Sequence, residues 1–137
     1  MKAVPFTYEV YEDARLLFIR GEGVVTQSER LHAMVGWLEN PAYARCTDVF
    51  CDFSMAQSTP TLADLQELIA LFVKHHPAQG PRKLAVVAST ATTFGVARVF
   101  DDLLKLEAVP LEVQVFFDRE LAWAWLRPAD APLEGLT

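Results

Sequence analysis

The sequence predicts an α/β domain. It has a single mixed, mostly parallel five-stranded sheet, elements in the order β-β-α-β-α-β-α-β-α, and helices mainly on one face. Three observations carry this. Short apolar runs alternate with segments of helical period, the pattern of strand–helix–strand crossovers. The first two strand-like runs are joined by a turn too short for a crossover, so they form an antiparallel hairpin. The length of 137 residues suits one domain with a core of its own.

The elements follow in order. Phe6, Tyr8 and Val10 alternate with Thr7, Glu9 and Tyr11, a period-two strand running to Glu12. Arg15 to Arg20 holds Leu16, Leu17, Phe18 and Ile19, apolar on both sides and therefore central. Gly21-Glu22-Gly23 is expected to break that strand. Thr26-Gln27-Ser28-Glu29 is a capping box, in which hydroxyl and carboxylate satisfy each other's orphan amides. Leu31, Met34, Val35 and Leu38 then mark one helix face, with Trp37 at its flank, and Asn40-Pro41 ends the helix.

Asp48 to Phe53 is the third strand, with Cys51 on the face of Val49 and Phe53. Thr59-Pro60 offers an N-cap followed by a first-turn proline, and Leu62, Leu65, Ile69 and Phe72 give the next stripe, stopped at His75-His76-Pro77. Leu84 to Ala88 is an apolar strand. Thr92 or Thr93 opens a helix with Val96, Phe100, Leu103 and Leu104 inward. Val113 to Phe117 is the last strand, and Asp118 caps a helix reaching Leu126. In that helix Trp125 is expected in the core with Leu121 and Leu126, and Trp123 outside. The domain is expected over 1–127, with residues 128–137 a partly ordered tail holding Pro128 and Pro132.

Composition narrows function. Hydrophobic residues are 52% and charged residues 22%, an ordinary globular balance. Twelve Lys and Arg against 18 Asp and Glu leave a formal charge of -6, which argues against a nucleic-acid grip and against docking on anionic lipid. No apolar run is long enough for membrane insertion. The N-terminus has neither signal-peptide nor transit-peptide character, and Cys46 and Cys51 make no disulfide scaffold, so free thiols and a cytoplasmic location are expected.

The chemistry-bearing residues form no enzyme signature. His32, His75 and His76 have no completing ligands, and the histidine pair at a helix end complements the macrodipole. Cys46 and Cys51 lack the Cys-x-x-Cys spacing, and no base is nominated to make either a nucleophile. No cofactor is implied. Ser89, Thr90 and Thr92, with Arg98 beyond them, form a candidate anion or partner loop at a helix N-terminus. Capping is the better account of its hydroxyls, and a solvated arginine, or one facing Asp101 or Asp102, the better account of Arg98.

Three stretches resemble the SpoIIAA-like branch of the STAS superfamily, whose fold is shared with Sec14-type lipid-binding domains. They are Gly23-Val24-Val25-Thr26 with Asp52-Phe53-Ser54; Leu84-Ala85-Val86-Val87-Ala88 with Gly95-Val96-Ala97-Arg98-Val99-Phe100; and Val115-Phe116-Phe117-Asp118 with Ala122 and Trp125-Leu126. The resemblance implies strands in sequential order and helices mainly on one side. It also implies a non-enzymatic binding or regulatory module acting through protein contacts. STAS switches are reset by phosphorylation at an Asp-Ser-Ser-Gly motif. The corresponding stretch here, Ser54 to Thr61, lacks that motif and offers Ser58, Thr59 and Thr61 as candidate phospho-switch hydroxyls. The Sec14-type relatives imply the alternative, a binder of a small apolar ligand or lipid, for which a solvent-open cavity lined by Phe and Trp would speak. A small enzyme is the third reading.

Strand alternation also yields a candidate dimer face. Leu16, Phe18, Phe50, Val87 and Phe116 would form an apolar patch ringed by Glu9, Asp52 and Gln114, suited to a twofold homodimer. The competing outcome is that the last helix, with Trp123, folds across this patch.

Overall fold

A computed structural model describes residues 5–75 and 80–127. Its elements are β1 (Phe6–Tyr11), β2 (Leu16–Gly23), α1 (Gln27–Leu38), β3 (Asp48–Ala56), α2 (Leu62–His75), β4 (Lys83–Ala88), α3 (Ala91–Leu106), β5 (Glu112–Phe116) and α4 (Arg119–Leu126), with a short 3-10 turn at Tyr43–Arg45. His76 and the tail expected over 128–137 lie outside the described residues.

The sheet order is β1-β2-β3-β4-β5, so each strand lies beside its successor. β1 is antiparallel to β2, and the remaining pairs are parallel. Right-handed crossovers that all step the same way deliver their helices to the same face. α1, α2 and α3 therefore form one layer. α4 follows the final strand, is bound by no crossover, and packs on the opposite face against β3, β4 and β5. The expectation of one mixed sheet with helices mainly on one side is met.

Both faces are covered, which explains why the central strands are apolar on both sides. Leu17, Ile19, Val49, Cys51, Leu84, Val86 and Val113 face the three-helix layer. Leu16, Phe18, Phe50, Ala85 and Val87 face α4. Within the crossover layer the buried stripe of α1 is Arg30, Ala33, Met34, Trp37 and Leu38. Trp37 is thus central rather than flanking, because Phe6 stacks on it at 6.2 Å and Tyr8 meets its edge at 5.6 Å.

Local details differ from expectation for identifiable reasons. β2 continues through Gly21-Glu22-Gly23, absorbing a register shift between Arg20 and Glu22 as a bulge. The cap of α2 is Thr61, not Thr59: Thr61 Oγ1 accepts from the Asp64 N–H at 3.1 Å and Asp64 Oδ2 accepts from the Thr61 N–H at 3.0 Å. α3 starts at Ala91, capped by Thr90. The capping box of α1 and the Asp118 cap of α4 form as expected.

Candidate functional site

The two faces are sealed to different degrees. Beneath α1, α2 and α3, over the middle of β2, β3 and β4 and extending toward their carboxyl ends, lies a cavity of about 140 Å³. Ile19, Cys51, Leu84 and Val86 form its floor. Met34 and Trp37 wall it from α1, Leu65 and Leu68 from α2, and Val96 and Phe100 from α3. Phe53, stacked 6.0 Å from Phe6, closes the side toward β1. Gly21 borders the same space. A Cβ there would meet the Phe53 ring at 3.0 Å, so the glycine is what lets that ring lie along the strand. Thr59 and Pro60 at the rim are only half-buried, so the cavity reaches solvent there.

Polar groups gather at the rim alone. Thr93, in the first turn of α3, lines the cavity while its hydroxyl is hydrogen-bonded to that of Thr90. Arg30, in the first turns of α1, is 8% exposed. Its Nη2 donates to the Val25 carbonyl at 3.0 Å and its Nη1 to Gln27 Oε1 at 3.2 Å. Asp64 Oδ2 lies 3.8 Å from Nη1, an ion-pair distance but not a hydrogen bond. Burial pushes the Arg30 guanidinium below its ordinary pKa, opposed by Asp64 and Glu29. Arginine nevertheless stays cationic at neutral pH. In the floor, burial and the neighbouring Asp52 push the Cys51 thiol well up, so it is protonated and a poor nucleophile.

The hydroxyls singled out near this loop have different surroundings. The Ser58 hydroxyl accepts from the Val25 N–H at 2.8 Å and donates to the Val25 carbonyl at 3.2 Å, clasping the β2–α1 loop to the β3–α2 loop. Thr59 lines the rim, and Thr61 is exposed as the α2 cap. At the other loop Ser89, Thr90 and Thr92 are exposed, with Thr90 capping α3. Arg98 is exposed further along α3, about 12 Å from Thr90 by helical rise, so the loop and this arginine do not converge.

The candidate dimer face requires a correction. Leu16, Phe50 and Val87 are 0% exposed and Phe18 is buried with them. Trp123 covers them, its ring edge-on to Phe50 at 5.8 Å, with Phe18 stacked on Phe50 at 5.2 Å. Phe116 is half-buried against Trp125 at 5.9 Å. Asp52, expected on the polar ring, instead pairs with Arg119 at 3.0 Å, and Asp48 pairs with Arg127 at 2.7 Å. These two pairs fix both ends of α4. The phase expected for α4 is shifted: Trp123 is buried and Leu121 is 62% exposed, while Leu126 is buried as expected and Trp125 is half-buried.

Sequence reasoning named Arg30 nowhere. Its signal was available, because Arg30 precedes Met34 by one helical turn and Trp37 by two, which places it on the buried stripe.

Among the described residues no group of three or more His, Cys, Asp or Glu is gathered to hold a metal ion. Nor is any described helix long and apolar enough to cross a membrane. No family model matches the chain, and no curated protein matches it. Among solved structures it is similar to an uncharacterized protein of the DUF3478 family, with a SpoIIAA-like fold, from Shewanella loihica PV-4. The TM-score is 0.57 at 19% identity, covering 88% of this chain and 91% of that one. The chain therefore has a SpoIIAA-like fold.

Proposed function

We propose that this domain is a non-enzymatic binding module for one compact, mainly apolar small molecule, held between the sheet and the α1–α3 layer. The observation that carries the reading is the cavity of about 140 Å³, walled by Phe6, Trp37, Phe53 and Phe100 and open at the rim. Its rim lies at the carboxyl ends of parallel strands, where open α/β sheets hold their ligands. A dry apolar cavity of roughly 150 Å³ is known to accept a benzene-sized molecule. That size favours a compact ligand over a diacyl lipid.

Binding rather than catalysis is supported by the groups in reach. The floor thiol is protonated, and Arg30 has no proton to exchange near neutral pH. The competing reading, a module working through protein contacts on the apolar sheet face, loses that surface to α4.

Native mass spectrometry of the purified protein, paired with thermal unfolding in the presence of toluene, tests this. A retained small molecule, or a toluene-dependent rise in Tm, is expected. Stabilisation should reach about 2.7 kcal/mol at a hundredfold excess over Kd. An empty protein whose Tm ignores toluene, indole and cyclohexane would overturn the reading.

A further inference from the structure

The rim of the cavity holds a buried cation whose ion-pair partner stands off it at 3.8 Å. Arg30 is buried because its aliphatic stem joins the stripe of Met34 and Trp37, which carries the guanidinium inward with it. A cation taken out of water needs close anionic or hydrogen-bonding partners. Here the hydrogen bonds to Val25 and Gln27 use two of the five N–H donors. The nearest carboxylate, Asp64, stands at 3.8 Å, and the same Oδ2 already accepts the Thr61 N–H that caps α2. Asp64 is thus held in place by a helix cap and does not close on the guanidinium.

Resting on the pocket reading above, we infer that the ligand is a monocarboxylic acid, its carboxylate against Arg30 at the rim and its apolar body over Cys51 and Val86. A guanidinium with unspent donors presents a planar fork that matches a carboxylate. The first turns of α1 and α3, which supply Arg30 and Thr93, add the positive ends of two helix dipoles to the same rim. Away from the rim, where Ser58, Thr59 and Thr93 stand near Arg30, the lining is apolar, so the ligand's polar atoms are confined to one end. A neutral alcohol would leave the buried cation as poorly compensated as it is in the empty site.

Matched probes separate this inference from the pocket reading. Titration calorimetry with toluene reports on the apolar cavity alone. Phenylacetate and 2-phenylethanol share an aromatic body and differ in the charged end. Phenylacetate is expected to bind at least tenfold tighter than 2-phenylethanol at neutral pH, and to lose that advantage as the pH falls through the ordinary carboxyl range. Arg30→Met keeps the apolar stem, and it should erase the preference while still unfolding cooperatively. Asp64→Asn retains an oxygen for the α2 cap and removes the competing charge. It should tighten phenylacetate severalfold and serves as the decisive variant if Arg30→Met does not fold. Toluene binding without an acid preference overturns the inference and leaves the pocket standing, as does a preference that neither variant alters. If no probe binds, the pocket reading falls and this inference falls with it.

Discussion

The two faces of one sheet are built from the same strands yet end in different states. Three crossover helices cover one face and leave a cavity beneath α1 and the N-terminal parts of α2 and α3. A single eight-residue helix covers the other face and leaves Leu16, Phe50 and Val87 fully buried. More helix does not mean tighter sealing. Crossover helices are held at positions set by the strands they join, so their side chains must reach whatever gap results. α4 joins no pair of strands and settles with Trp123 against Phe50, pinned by Asp52–Arg119 and Asp48–Arg127. The incompletely packed face is the one with capacity for a ligand.

Deleting one large side chain from each face tests that contrast most severely. Trp123→Ala should cost about 3–5 kcal/mol in urea denaturation, since it opens a void over Phe50 beneath a short helix. Leu17→Ala, on the cavity-bearing face but away from the rim and 0% exposed, should cost about 2–5 kcal/mol. Val96→Ala, at the wall of the existing cavity, should cost less than about 1 kcal/mol, because a half-buried side chain facing open space has few contacts to lose. Equal losses for Trp123→Ala and Val96→Ala would show that the two faces are packed alike.

Filling the cavity sharpens the same comparison from the other side. Ala97 lines it from α3, and Ala97→Leu adds carbon to the void at little cost in helix propensity. Stability should rise by about 0.5–2 kcal/mol, in the range of cavity-filling changes, and toluene affinity should fall more than tenfold. A loss of stability on thermal unfolding would mean that the space is already used.

Much of this architecture was legible in the sequence because it is written in periods. Alternation along β2 separates Leu17 and Ile19 from Leu16 and Phe18, and the structure places these pairs on opposite faces. What alternation cannot say is which cover each face receives. In α4 two stripes compete at the same spacing: Leu121 with Trp125, and Ala122 with Leu126 beside Trp123. Only the tertiary partner, Phe50, selects the second. The cavity was illegible for a different reason. It is a shortfall of volume among side chains from every strand but β5 and from α1, α2 and α3, and no local pattern records it. Arg30 lay between these cases, since its place on the stripe was readable but the depth of its burial was not.

The sealed face poses a further question, whether α4 is held by charge or by packing. Burial raises the Asp48 carboxyl above its ordinary value, although Arg127, Thr47 and Lys83 all pull it down. A raised folded-state pKa means the native state binds the proton more tightly than the unfolded chain. The stability Asp48 contributes is then fully present below the ordinary aspartate value and declines as pH rises through the raised one. The difference in stability between the parent protein and Asp48→Asn should therefore shrink from about pH 3 to pH 7, measured by urea denaturation at each pH. A difference that grows with pH would assign the hold on α4 to the Arg127 pair instead of to Trp123.

The smallest effect is expected at the far end of α3, away from the cavity. Ala108 follows the helix in the left-handed region at φ 56°. Its N–H donates to the Lys105 carbonyl at 3.1 Å, and the Val109 N–H donates to that of Leu104 at 3.2 Å. This is a Schellman ending, in which glycine is the favoured occupant because a Cβ strains the left-handed conformation. Ala108 is exposed, so removing its methyl group costs no packing. Ala108→Gly should therefore stabilise the protein by about 1 kcal/mol, reduced somewhat by the greater freedom of glycine in the unfolded chain. The cavity is bounded by Thr93, Val96, Ala97 and Phe100, more than one turn before the helix end. Tightening the ending should accordingly raise Tm while leaving toluene affinity unchanged. A change in affinity would show that the cavity depends on the whole of α3 rather than on its N-terminal half.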